Sequence, residues 1–84
     1  MNLYLIRQNM NRAYDTYDSA VVIANSEEEA KTIHPQGYRW KNGSWNTHWS
    51  SNDWCHPEHV KVELIGTTTS GDVGDVLIAS FNAG

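Results

Sequence analysis

Cysteine is nearly absent from this sequence, and so are the long apolar runs that cross membranes. With one cysteine in 84 residues, the chain cannot close an internal disulfide. No segment approaches the roughly 18 consecutive apolar residues of a membrane span. The opening MNLYLIRQ has neither the charged start nor the apolar run of a signal peptide. These absences predict a soluble, cytoplasmic protein without a membrane role.

Basic residues are also scarce. The chain has six lysines and arginines against ten aspartates and glutamates, which gives a formal net charge of −4. Because contacts to phosphates need clustered Lys and Arg, and these six are scattered, direct binding to nucleic acid is not expected. The acidic side chains do cluster, which indicates either a surface for a basic partner or a solvated turn and helix start. The acidic candidates are Asp15, Asp18, Glu27 and Glu28.

Four segments have the patterns of β-strands. LYLIR at 3–7 and DVLIASF at 75–81 are apolar on both faces, which is typical of strands covered on both sides. This pattern predicts central positions in the sheet for the first and last strands. SAVVIA at 19–24 is a further strand, and VKVELIG at 60–66 alternates as expected of a strand with one wet face.

The segment NSEEEAKTIHP has the signals of a helix. Ser26 precedes Glu29 by three residues, the spacing of a capping box, in which the hydroxyl accepts from the Glu29 amide and the carboxylate from the Ser26 amide. Glutamates in the first turn suit the positive end of the helix dipole. Pro35 disfavours helical geometry at the residue before it. The pattern predicts a helix of about eight or nine residues, with Ala30 and Ile33 on its buried side.

A tight hairpin is predicted at Asn42-Gly43. Both central positions of a type I′ turn need positive φ, which Asn and Gly tolerate best. In this register Trp40 lies directly opposite Trp45, where two indoles can pack edge to face. The other predicted pairs are Lys41 with Ser44 and Tyr38 with Thr47.

Together these elements predict an α+β fold in one domain spanning residues 1–84. It comprises a mostly antiparallel four-stranded sheet with one short helix packed on one face, plus a Trp-rich hairpin insertion. The order along the chain is β-β-α-hairpin-β-β. With 39% apolar residues, the chain can build a single modest core.

The segments YDTYDSAVVIA, SEEEAKTIHP and the C-terminal ASFNAG stand out, together with the opening LYLI. This combination covers both ends and about half of the chain, and it resembles a group of small, uncharacterised proteins encoded by tailed phages and prophages. The resemblance implies a bacterial host and carries over no catalytic residue. Because small acidic phage proteins often bind a host protein, it also implies a host-protein binder, such as a counter-defence inhibitor.

Metal-binding side chains are concentrated near the middle of the chain. Cys55 and His59, four residues apart, can reach one zinc ion from a single helical turn. His56 and His48 complete the candidate set. The alternative is that HPEH forms one helical turn with Pro57 at its first position, leading into the next strand.

All four tryptophans lie in the same stretch, and a core of this size can hardly bury all of them. Exposed tryptophans beside Arg39 are predicted to bind a partner, because Trp and Arg are enriched at binding hot spots. The alternative is that two or three of them cover the sheet face opposite the helix. The candidate indoles are Trp40, Trp45, Trp49 and Trp54.

These features predict a non-enzymatic protein that binds and blocks a bacterial host protein, as a monomer or homodimer and without a cofactor. The alternatives are a small-ligand or sugar-binding module on a tryptophan platform, and a zinc-stabilised structural protein. No catalytic residue is assigned. Asp15 and Asp18 suit a turn, and the sequence has neither a phosphate-loop lysine nor a nucleophile elbow.

Overall fold

The computed structural model describes residues 1–10, 16–45 and 54–82. Its main sheet is four-stranded and antiparallel, in the order β5-β1-β2-β6, and β3 and β4 form a separate hairpin. This architecture confirms the predicted α+β class and element order. The elements are β1 (Asn2–Arg7), β2 (Thr16–Ala24), α1 (Glu27–Ala30), β3 (Trp40–Lys41), β4 (Ser44–Trp45), a 3-10 turn (Pro57–His59), β5 (Lys61–Thr67) and β6 (Val76–Asn82).

The strand order confirms one prediction about the sheet and corrects another. β1 is central, as its apolar sequence predicts, but β6 lies at an edge and β2 takes the second central place. The prediction of a central last strand is wrong because an apolar run does not determine which strands pair. In β6 that run leaves two large side chains in water, with Leu77 56% and Ile78 67% exposed.

One face of the sheet forms the core. Along β1 and β2, Tyr4, Ile6, Ala20 and Val22 point to this face and are buried. The short helix, the β3–β4 hairpin and the segment before β5 all pack against it. The side chains that these elements add are Ala30, Ile33, Trp45, Trp54, Cys55 and Val60.

The helix is capped largely as predicted but is shorter. The Ser26 Oγ accepts from the Glu29 amide at 3.2 Å, whereas the Glu29 carboxylate accepts from the Asn25 amide at 2.7 Å and not from that of Ser26. The helix has four residues because the chain then pairs with a later segment. The Thr32 carbonyl accepts from the Trp40 amide, and this tertiary pairing overrides the local helical preference.

Proline and glycine set the turn between the helix and the hairpin. The amide of Gly37 donates to the His34 carbonyl at 2.7 Å across Pro35, and Gly37 has a φ of 90°. A proline after the first turn residue and a left-handed glycine at its end match a type I turn followed by a bulge. Pro35 therefore begins a turn within paired backbone, and the helix has already ended upstream.

The Asn42-Gly43 hairpin has the predicted geometry. Asn42 has a φ of 54° and Gly43 of 84°, as a type I′ turn requires. Trp40 pairs with Trp45 and Lys41 with Ser44. Thr47 lies outside the described residues, so its predicted pairing with Tyr38 stays a prediction.

As for the lipid bilayer, the helices of the described ranges are all too short and too polar to cross it.

Candidate functional site

A buried histidine lies at the centre of an aromatic cluster beside the sheet. His34 has no solvent exposure, and its Nδ1 accepts from the Gln36 amide at 2.9 Å. A ring nitrogen that accepts carries no proton, so the imidazole is neutral in this arrangement. The aromatic rings around it have centroids 5.3–6.4 Å away and belong to Tyr17, Tyr38, Trp45 and Trp54.

The tryptophan hairpin is attached to this cluster. Trp40 and Trp45 stand edge to face, with centroids 5.1 Å apart and planes at 78°. Trp45 donates its indole N–H to the Cys55 carbonyl at 3.1 Å, and Trp40 packs on the ring of His56 at 4.9 Å. Because the two indoles are nearly perpendicular, they do not together form a flat platform for a sugar ring. Their edges and faces stabilise the hairpin instead.

The predicted metal ligands are not brought together in the described structure. Cys55 is buried, and this burial raises the pKa of its thiol to about 11, which disfavours the thiolate that binds zinc. His56 and His59 are exposed, and the His59 Nε2 lies 3.7 Å from the carboxylate of Glu58. Pro57 starts a 3-10 turn, as predicted. His48 lies outside the described residues, and within those residues no group of three metal-binding side chains occurs.

The predicted partner-binding residues separate into core and surface positions. Trp54 is 3% exposed and belongs to the core, so it offers no surface to a partner. Arg39 lies 3.9 Å from Glu29 and against Gly74, and thus links the hairpin to the helix and to the connection after β5. Asp18, Glu27 and Glu28 are exposed, whereas Asp15 and Trp49 lie outside the described residues.

Trp45 and Trp54 pack on the same side of the sheet as the helix, and not on the opposite side. The opposite side, which we call the outer face, carries the alternate residues of β1 and β2 and their pairing partners. One row across the strands runs from Glu63 through the apolar residues Leu5, Val21 and Ile78, because residues paired in an antiparallel sheet point to the same face. A shallow groove of about 450 Å³ runs along this row. The other outer-face residues are Leu3, Arg7, Ser19, Ile23, Lys61 and Ser80.

Part of the outer face is covered. Ile23 is 1% exposed, and the loop after β5 lies over it, since a Cβ on Gly71 would come within 2.6 Å of the Ile23 Cδ1. The row at Leu5 has no such cover among the described residues, and Ile78 is the most exposed large apolar side chain described. An apolar patch with a polar border is typical of an interaction surface.

Two of the six basic residues lie at one end of this face. Arg7 pairs directly with Lys61 across β1 and β5, although like charges in this position are unfavourable. Arg7 also lies 3.8 Å from Glu63, and both side chains are more than half exposed. The same row continues through Ser19 and Ser80. This end of the outer face therefore carries two basic side chains, with Glu63 beside them, and two hydroxyls, in a chain whose net charge is −4.

No protein-family model matches this chain, and no curated protein or solved structure is significantly similar to it. The chemistry of the surface therefore carries the functional argument. Sequence reasoning missed the outer face because apolar residues on both sides of β1 and β6 predict burial on both sides. It also missed the basic pair, because Arg7 and Lys61 meet only through the strand register.

Proposed function

We propose that this protein is a non-enzymatic, phage-type protein that binds a protein of its bacterial host and blocks it by occlusion. The single observation that carries the proposal is the outer face, where a largely uncovered apolar row lies beside the basic pair Arg7 and Lys61. Burial of a side chain such as Ile78 in an interface contributes roughly 1.5–3 kcal/mol. A few such contacts on a rigid sheet can support specific binding. The resemblance to phage and prophage proteins supplies the bacterial setting.

The charge on this face indicates the chemistry of the partner. Arg7 and Lys61 are complementary to carboxylates, so the partner surface is expected to present apolar side chains next to Asp or Glu. Rim charges of this kind mainly steer association and make it sensitive to salt. The acidic residues Glu27 and Glu28 belong to the helix, which packs on the core face, and they do not contribute to this surface.

Affinity capture tests the proposal with a matched pair of charge reversals. The immobilised protein is incubated with lysates from a panel of bacterial species, and bound proteins are compared with those held by Lys61→Glu and Lys41→Glu. Both lysines are exposed, and both changes alter the net charge equally, but only Lys61 lies on the outer face. We expect Lys61→Glu to lose a specific protein that Lys41→Glu retains, and we expect salt to weaken its capture.

Two results would overturn the proposal. One is that the wild type holds no protein beyond those that also bind an unrelated acidic domain. The other is that both variants lose the captured protein equally, because binding would then follow net charge and not the outer face. Thermal melts of both variants establish that they are folded.

A further inference from the structure

The two edges of the main sheet differ in their protection against pairing. β5 carries Lys61 and Glu63, both exposed, whereas the sequence of β6, VLIASFN, has no charged residue. Natural proteins commonly protect edge strands with charged side chains, especially lysine. β6 is also seven residues long and exposes Leu77 and Ile78. It is therefore an open edge with the composition of a pairing strand.

The backbone of β6 is regular over most of this edge. The extra residue of β6 is Leu77, between Val76 and Ile78. From Ile78 to Asn82 each residue pairs with one residue of β2, and the second register shift of this ladder falls on β2, at Asp18. The backbone edge of this stretch that points away from β2 pairs with no strand among the described residues. A regular, uncharged segment of this length presents a row of backbone donors and acceptors that another extended strand can satisfy.

We propose that β6 pairs antiparallel with β6 of a second copy about a twofold axis, joining two sheets into one of eight strands. A strand that meets its own copy needs no separate partner sequence, and a twofold interface is the commonest arrangement of soluble oligomers. Charge also favours a second copy of the chain as the partner of β6. Each chain has a net charge of −4, but β6 brings no charge to the interface, so the two copies meet where like charges are absent.

The dimer is independent of the proposed function, although it has a consequence for it. Pairing at β6 keeps both outer faces on the same side of one continuous sheet. The two basic ends at Arg7 and Lys61 stay at the outside of the joined sheet, because β1 and β5 are remote from β6.

Sedimentation velocity of the full chain at rising concentration tests the dimer. We expect the mass to move from 9.5 kDa towards twice that value. Leu77→Lys places a positive charge on β6 in both copies, and Leu64→Lys makes the same change at the other edge, where Leu64 is 55% exposed against 56% for Leu77. We expect Leu77→Lys to weaken the dimer at least about tenfold, because a lysine on an edge strand opposes its pairing with another strand, and Leu64→Lys to leave it unchanged.

Hydrogen exchange supplies a second measurement on the same samples. Amides between Val76 and Asn82 are expected to become more protected as the concentration rises, while those of β5 stay the same. If Leu77→Lys does not fold, Ser80→Lys replaces it, since Ser80 is exposed on the same strand. A mass of 9.5 kDa at every concentration, an equal effect of Leu64→Lys, or open-ended growth beyond two copies would overturn the proposal. None of these measurements involves a host protein.

Discussion

Replacement of Gly71 by alanine is expected to destabilise the protein more than the same change at other left-handed glycines. Gly71 has a φ of 95°, and a Cβ there would lie 2.6 Å from the Cδ1 of Ile23. Ile23 is 1% exposed, so its side chain has little room to move. The substitution therefore combines backbone strain with overpacking against Ile23 on the outer face.

The magnitude follows from two separate contributions. A non-glycine residue in the left-handed region costs roughly 1–2 kcal/mol, and overpacking of a well-packed site costs roughly 1–3 kcal/mol more. Gly43→Ala is the matched control, because Gly43 has a φ of 84° and no atom within 4 Å of the position that a Cβ would take. We expect Gly71→Ala to exceed Gly43→Ala by about 1–3 kcal/mol.

Gly74→Ala tests whether the cost of an added Cβ depends on how freely the neighbouring side chain can move. Gly74 has a φ of 98°, and its Cβ would meet a terminal nitrogen of Arg39 at 2.7 Å. The Arg39 side chain is 41% exposed and can swing away, so Gly74→Ala should resemble Gly43→Ala. Urea unfolding followed by tryptophan fluorescence gives the free energies, and each kcal/mol lowers Tm by roughly 4–8 °C in a domain of this size. If Gly71→Ala costs no more than the other two, the loop after β5 does not cover Ile23.

Four further predictions concern the aromatic cluster and the thiol. A double-mutant cycle of Trp40→Ala and Trp45→Ala should give a coupling of about 0.5–1.5 kcal/mol in urea unfolding; additive effects would contradict the edge-to-face contact. His34→Ala should cost about 2–4 kcal/mol because it empties a buried site, whereas the exposed His59→Ala should stay within about 0.5 kcal/mol. EDTA should leave Tm unchanged, since the Cys55 thiol is buried and protonated; a fall in Tm would show that a bound metal ion stabilises the fold. Between pH 9 and 11 the wild type should lose up to about 2–3 kcal/mol relative to Cys55→Ala, measured by urea unfolding.

The direction of the alkaline effect follows from the two states of the thiol. Burial raises the pKa of Cys55 from 9.0 to about 11 in the folded protein. The unfolded chain therefore releases this proton first as the pH rises, and ionisation favours unfolding. The contribution is fully present below pH 9 and is lost as the pH approaches 11. An equal pH dependence in Cys55→Ala would show that the thiol is already solvated in the folded state.

The sequence predicted best where a structure depends on neighbouring residues alone. Asn42-Gly43 gives the type I′ turn, Ser26 caps the helix, and Pro57 opens the 3-10 turn. In each case a backbone angle or one side-chain hydrogen bond within three residues determines the outcome. The predicted helix length was wrong because it depends on a more distant contact: the Thr32 carbonyl accepts from the Trp40 amide, eight residues later.

The candidate site was less predictable, because it depends on which strands become neighbours. The clustering of Trp, Cys and His in the sequence predicted a partner-binding surface or a metal site near the hairpin. In the structure Trp45 and Trp54 instead pack in or against the core. Nothing in the sequence marked His34 as the centre of the aromatic cluster, or paired Arg7 with Lys61.

By itself, the sequence determined the element types, the tight turns and the α+β class, since alternation of side chains and turn chemistry act over a few residues. Only the tertiary structure decided that β6 is an edge, that Trp45 and Trp54 share the helix side, and that the outer face carries Arg7 and Lys61 side by side. These features depend on strand order and register. Both are set by the competition between contacts that are distant in sequence, which a local pattern does not encode.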